Sequence, residues 1–280
     1  MALNKKNKNT VITASNGWVT IGFSDIWTYR YLLGNLVSRD IKTQYRQTIL
    51  GMGWAVIGPL ANMVVFTFIF GGLAKMPSEG IPYPLFSFAA LVVWTYFSSC
   101  TARTTNTLVE NSQLISKVYF PRLILLMSPL ISSLLSFFIS FTVLLLMMAY
   151  YGFYPAWQTI LLIPIMLIVS AMTSFCLGLL FAPLNVLFRD IAQALPFFIQ
   201  ILMYATPIVY PLNIVPEPYQ SIIELNPLTH VVNAFRWALV GTDTFPDLIM
   251  FATSMTILLI TTIVGLLWFR RMEKFFADVI

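Results

Sequence analysis

The sequence predicts an all-α membrane protein: six transmembrane helices, an N-terminal cytoplasmic amphipathic interface helix, and short re-entrant helices on the outer side before the last span. Three observations carry this. Hydrophobic residues make up 58% of the 280 and charged residues 10%, with a mean hydropathy of +0.81, far from the roughly 25% charge of a soluble domain. Charge-free apolar runs cover 47–74, 80–102, 123–188, 191–216 and 248–269, and about 20 apolar residues cross a bilayer core. Fourteen of the 16 Lys and Arg residues fall at the N-terminus, at 103–122, at 183–194 and in the tail, leaving Lys75 and Arg236 on the other side. By the positive-inside bias both termini are cytoplasmic, so the net charge of +5 reads as a topology signal. No basic groove with interleaved aromatics points to nucleic acid.

The elements follow in order. Residues 1–25 are a polar cytoplasmic tail with no apolar core of signal-peptide length. Residues 26–46 form an amphipathic helix with Leu33, Leu36, Val37 and Ile41 on one side and Arg39, Lys42 and Arg46 opposite, the pattern of a helix lying flat in the headgroup layer. Those charges fit either an ordinary topological anchor or a contact with an anionic headgroup. The transmembrane domain, 47–270, has spans at about 51–74, 82–102, 123–150, 157–182, 194–212 and 247–269. "KMPSEGIP" turns between the first two, and "YYGFYPAW" splits the 66-residue run at 123–188 into a hairpin. Residues 271–280 are a cytoplasmic tail.

Between spans two and three, "ENSQLISKVYFPR" predicts a short helix at about 106–118. Glu110 stands near its start and Lys117 near its end, as the helix dipole favours, and Leu114 and Ile115 offer an apolar face. Pro121 ends that helix and opens the third span, while Arg122 anchors the hinge at the headgroups. Residues 213–246 are too long for a turn and hold two apolar stretches, each half a span long, which predict short helices at about 216–240. Asn226 caps the second with Pro227 at its first position. His230, the only histidine, reads as a satisfied polar residue, whereas Arg236 in its apolar surroundings reads as facing a cavity or a partner. Tyr204 and Tyr210, beside Pro207 and Pro211, read as cavity residues on an irregular helix; Phe66 and Phe197 belong to the same aromatic set, and aromatic faces suit a sliding sugar polymer.

The chemistry that is missing narrows the function. The chain has no GxxxxGK[ST] phosphate loop, HExxH, CxxC or GxSxG, so it shows no ATP site, metal site or nucleophilic triad of its own. Cys100 and Cys176 fall within spans as apolar fillers. Acidic residues keep to loops and flanks, which argues against a proton-driven carrier and for energy supplied by another polypeptide.

Four segments together resemble the permease subunits of ABC-2 type ABC transporters that export polysaccharides such as O-antigen, capsule and teichoic acid: "SRDIKTQYRQTILGMGWAVIGPL", "ENSQLISKVYFPR", "NVLFRDIAQALPFFIQILMYATPIVYP" and "ELNPLTHVVNAFRWAL". The resemblance spans nearly the whole chain. It implies a homodimer in the bacterial inner membrane with two nucleotide-binding ATPase subunits, which would hold the ATP and Mg; this chain itself has no cofactor. It implies a coupling element at Glu110, Gln113, Leu114, Lys117, Phe120 and Arg122, with a second cytoplasmic contact at Arg189 and Asp190. A polyprenyl-diphosphate-linked glycan would first meet Arg39, Lys42 and Arg46, pass along Phe66, Phe197, Tyr204 and Tyr210 in spans one and five, and leave by an outer gate at Asn226, Pro227, His230 and Arg236. An ABC-2 permease for a small lipid or drug is the alternative; a membrane transferase lacks an acidic or histidine cluster.

Overall fold

The computed structural model describes residues 27–46, 51–155, 159–242, 247–274 and 276, and among these there is no strand. The expected polar tail over 1–25 lies outside the described residues, as do 275 and 277–280 of the expected cytoplasmic tail.

Helix α1, Arg30–Tyr45, contains no proline and one outward-facing glycine, Gly34. It does not lie alone in the headgroup layer. Leu36 is buried, Leu33, Val37 and Ile41 are partly covered, and the helix packs along the start of the long fifth helix described below. The sequence pattern identifies the apolar stripe but not what covers it, and here protein covers much of it.

A charge-free segment follows: a 3-10 turn at Gly51–Gly53, α2 at Trp54–Phe66, and a π-helical stretch at Thr67–Leu73. Most of it faces outward. The wider π turn brings Gly71 against the ring of Tyr83, where a Cβ would collide. Helix α3, Tyr83–Glu110, is the axis of the molecule and is largely buried. At about 1.5 Å per residue its 28 residues reach about 42 Å, beyond the roughly 30 Å of a hydrocarbon core. The expected loop from 103 is therefore helix as far as Glu110. "ARTTNTLVE" contains no Gly or Pro, and some of its polar groups find partners: Asn106 Nδ2 donates to the Ala102 carbonyl (3.0 Å) and Thr107 Oγ1 to the Leu125 carbonyl (3.3 Å), with Asn111 Nδ2 just beyond folding back on the Thr107 carbonyl (2.8 Å).

Helix α4 is a short Ser112–Lys117 segment, followed by α5, Leu123–Tyr151. Gly152, at φ 75°, ends α5 in the left-handed region open to glycine, and α6, Leu162–Leu187, runs back. Gly178 in α6 lies against Thr104 of α3 so closely that a Cβ would overlap its Cγ2. Helix α7, Asp190–Ala205, has 16 residues and stops before Thr206-Pro207, since the residue preceding proline is disfavoured as helix. Helices α8, Glu217–Glu224, α9, Pro227–Val240, and α10, Leu248–Glu273, complete the order. Among the described residues five segments are long and apolar enough to cross a membrane: Gly51–Leu73, α3, α5, α6 and α10; α7 is apolar but shorter. The chain is a multi-pass helical membrane protein.

Two cores hold the bundle. The larger surrounds α3 and includes Phe86, Phe88, Leu91, Phe97, Phe137 and Phe235. The smaller joins Leu36 of α1, Leu108 of α3, Ile115 of α4, Leu123 and Ile124 of α5, Leu179 of α6 and Phe269 of α10. It sits at the end of the bundle that carries Lys117 and Arg122, here the basic end; the Tyr83 end is the far end.

Candidate functional site

At the basic end, α3 and α4 are separated by one residue, Asn111. Glu110 thus closes α3 and does not open the next helix, so it cannot complement the α4 dipole as expected; Lys117 in the last turn of α4 does. Helix α4 buries Ile115, and the strand-like turn after it buries Phe120. Glu110, Gln113 and Lys117 are exposed, Leu114 is half-covered, and Val109, Val118 and Tyr119 add exposed apolar surface. Of the expected contact residues Phe120 is therefore turned inward, holding the segment to the small core. Tyr119, three-quarters exposed at 76%, was not anticipated on this surface. Arg189 and Asp190 are both exposed at the α6–α7 junction, and Asp190 sits in the first turn of α7.

Arg122 does not reach for headgroups. It donates to the Glu273 carbonyl, lies 3.9 Å from the Glu273 carboxylate and covers the Phe276 ring at 5.5 Å. Glu273 in turn pairs with Arg270 at 3.0 Å. A cation at the last carbonyls of α10 is favoured by the helix dipole, so the start of α5 and the end of α10 form one joint.

On α1, Arg39, Lys42 and Arg46 are exposed and, with Asn35, Ser38 and Thr43, surround an open hollow of about 380 Å³. The next residue, Asp40, is turned into the bundle. Its Oδ1 accepts from Arg39 Nη2 (2.9 Å), its Oδ2 accepts from Ser128 Oγ (2.6 Å), and Arg103 Nη2 stands 3.9 Å away. Arg103 also donates to Gln44 Oε1 (3.0 Å) and Ser133 Oγ (3.4 Å), and Tyr45 shares a 2.6 Å hydrogen bond with Ser136. The inner face of α1 is thus apolar toward its start and hydrogen-bonded toward its end.

At the far end Arg236, only 2% exposed, faces no cavity. Its guanidinium donates to the carbonyls of Phe86 (3.1 Å), Pro207 (2.6 Å) and Ile208, and stacks 3.6 Å above the Phe86 ring. The non-helical 206–209 stretch is held twice more, by Tyr83 Oη donating to the Val209 carbonyl (2.7 Å) and Asn226 Nδ2 to Thr206 Oγ1 (3.0 Å). Asn226 caps α9 as expected, its Oδ1 accepting from Leu228 N (3.1 Å) with Pro227 at the first position. His230 is buried with Nε2 2.7 Å from the Glu224 carbonyl, a satisfied polar residue.

The aromatic set is not gathered in one place within this chain. Phe66 is buried in the larger core against Phe70. Phe197 and Tyr204 point outward from one face of α7 together with Ile201, while Tyr210 Oη donates to the Tyr204 carbonyl (3.1 Å). A separate cavity of about 350 Å³, missed from the sequence, lies among α1, α2, α3 and α5 and is lined by Tyr45, Trp54, Asn62, Trp94, Ser136 and Ser140, among others. Its walls come from five separated segments, Met203 of α7 being the fifth, and no local pattern announces it.

The family model described as ABC-2 type transporter matches residues 31–240, which begins at α1 and ends at the last residue of α9. The chain belongs to the ABC-2 type transporter family. Among curated proteins, this ABC-2 chain is 29% identical over 253 residues to an O-antigen export system permease protein RfbA of Klebsiella pneumoniae, covering 89% of this chain and 95% of that protein. It is 28% identical over 215 residues to the protein of the same name from Myxococcus xanthus, covering 76% and 81%. It is 26% identical over 249 residues to the polysialic acid transport protein KpsM of Escherichia coli, covering 85% and 92%.

Sequence reasoning about this ABC-2 chain missed Asp40, Arg103 and Glu273. Arg103 was placed at a loop boundary because charge was read as the end of a span. The available signal was the absence of Gly or Pro between 103 and 110, which leaves nothing to stop the helix.

Proposed function

We propose that this chain is the membrane-spanning permease subunit of an ATP-driven exporter that moves a polyprenyl-diphosphate-linked polysaccharide of O-antigen type from the cytoplasmic side across the inner membrane. One observation carries the reading: of three relatives matched over 76–89% of the chain, two are named for O-antigen export and one for polysialic acid transport. Supporting it, the surface of Glu110, Gln113, Leu114, Lys117 and Tyr119 stands free at the end of the axial helix, suited to receive a push from a partner that binds ATP. The cations of α1 beside their hollow suit a diphosphate.

In this proposal the basic end and both termini are cytoplasmic, and the protein acts as a homodimer with two ATPase subunits that supply ATP and Mg. Helix α7 together with its 206–210 extension serves as a sixth crossing. Its outward aromatics Phe197 and Tyr204, with Tyr210 and the Phe66 segment, border the glycan path, and α8 and α9 close it on the outer side. The test is reconstitution of the permease with its ATPase in vesicles loaded with lipid-linked glycan. ATP-dependent appearance of glycan on the opposite face is expected; transport of short lipids or drugs with no movement of glycan would overturn the substrate assignment.

A further inference from the structure

Four charged groups from two helices share one hollow at the basic end. It measures about 360 Å³ and is lined by Arg39, Asp40, Thr43, Gln44, Arg103 and Glu110, with Asn111 at its edge. One wall is α1, whose outer side carries Arg39, Lys42 and Arg46; the other is the last turns of α3, which continue into α4 through Asn111 alone. Asp40 lies between them with each carboxylate oxygen engaged differently. Oδ1 takes two donors from Arg39, Nε at 3.3 Å and Nη2 at 2.9 Å. Oδ2 takes Ser128 and has Arg103 just beyond hydrogen-bond distance at 3.9 Å.

We propose that Asp40 is exchanged between Arg39 and Arg103, and that this exchange reports an anionic headgroup on α1 to the coupling helix. The idea rests on the proposed lipid-diphosphate substrate. A diphosphate at the α1 hollow offers Arg39 more charge and better bidentate geometry than a single carboxylate. When Arg39 turns to it, Asp40 keeps Ser128 and closes on Arg103, which gives up its longest contact, the 3.4 Å one to Ser133. The exchange is cheap because both arginines are partly exposed, at 48% and 27%, where ion pairs are worth little net. Closing the pair draws the end of α3 toward α1 and moves Glu110 and α4 with it. Arg103 is thus a positioning residue, acting on the ATPase surface through α3 and touching no substrate.

The experiment uses the permease assembled with its ATPase in zwitterionic vesicles, with three probes: polyprenyl diphosphate in the bilayer, inorganic pyrophosphate in solution, and polyprenol without phosphate. ATP hydrolysis and vesicle-borne lipid binding are measured together. Wild type should be stimulated about fivefold or more by the lipid diphosphate and not by polyprenol; stimulation by pyrophosphate alone would show that the headgroup suffices. Asp40→Asn, which removes the carboxylate that competes for Arg39, should bind the lipid at least as tightly as wild type, and Arg103→Gln should still bind it, yet both should lose the stimulation; Arg103→Lys, which keeps the charge, should recover at least half of it. Full stimulation in Arg103→Gln, equal failure of the Gln and Lys variants, or loss of lipid binding in Arg103→Gln would each overturn the exchange. A wild type indifferent to the lipid diphosphate would instead overturn the substrate reading beneath it.

Discussion

The two ends of the axial helix α3 are held by arginines in opposite ways. At the far end Arg236 is enclosed and donates to the backbone carbonyls of Phe86, Pro207 and Ile208, acceptors that cannot move without moving the chain. At the basic end Arg103, Arg39, Arg122 and Arg270 meet carboxylates, hydroxyls and one carbonyl on side chains and helix ends that are partly exposed. A buried guanidinium fixed on three carbonyls makes a rivet. Partly hydrated ion pairs can trade partners at small cost, which suits a region that must answer to ATP.

The comparison breaks first at Arg236. Arg236→Ala strips a donor from three carbonyls and opens a void over Phe86; with about 1–3 kcal/mol for each buried group left unpaired, a loss of about 3 kcal/mol or more is expected. Thermal unfolding of the detergent-solubilised protein would show it, and a melting point within error of wild type would refute the rivet. Next comes Arg122→Ala, which frees the end of α10 from the start of α5. About 1.5–3 kcal/mol is expected for a charge-assisted bond, read as faster hydrogen exchange confined to the last turn of α10. Tyr83→Phe removes only the bond to the Val209 carbonyl and should cost about 1 kcal/mol. Unfolding midpoints for the Tyr83 and Arg236 single variants and their double variant should be non-additive, since both hold the 206–209 stretch.

The smallest effect on stability sharpens the contrast most. Glu110→Lys with Lys117→Glu changes two exposed side chains and should shift stability by no more than about 0.5 kcal/mol. Under the proposed function it should nevertheless abolish co-purification of the ATPase or uncouple hydrolysis from export. Normal export by that variant would remove the coupling role from this surface.

How much of this was readable beforehand differs between the two ends. Asn226-Pro227 announces α9 because a cap and a preset φ act within one turn of chain, and the structure places both as expected. His230 was read correctly as a satisfied group for the same reason of local context, its partner being six residues away. Arg236 was misread, since its partners lie 28, 29 and 150 residues away in sequence, and no pattern on α9 records them. The headgroup role given to Arg122 failed likewise, because Glu273 is 151 residues distant.

By itself the sequence determined that this is a helical membrane protein, where the apolar segments lie, and which faces carry cations, because hydropathy and capping are properties of short stretches. The tertiary structure alone decided that α1 packs on the bundle, and which arginines are riveted and which can exchange. Those outcomes depend on carbonyls and carboxylates brought together from distant parts of the chain, and a charge's role is set by the partner it meets in space.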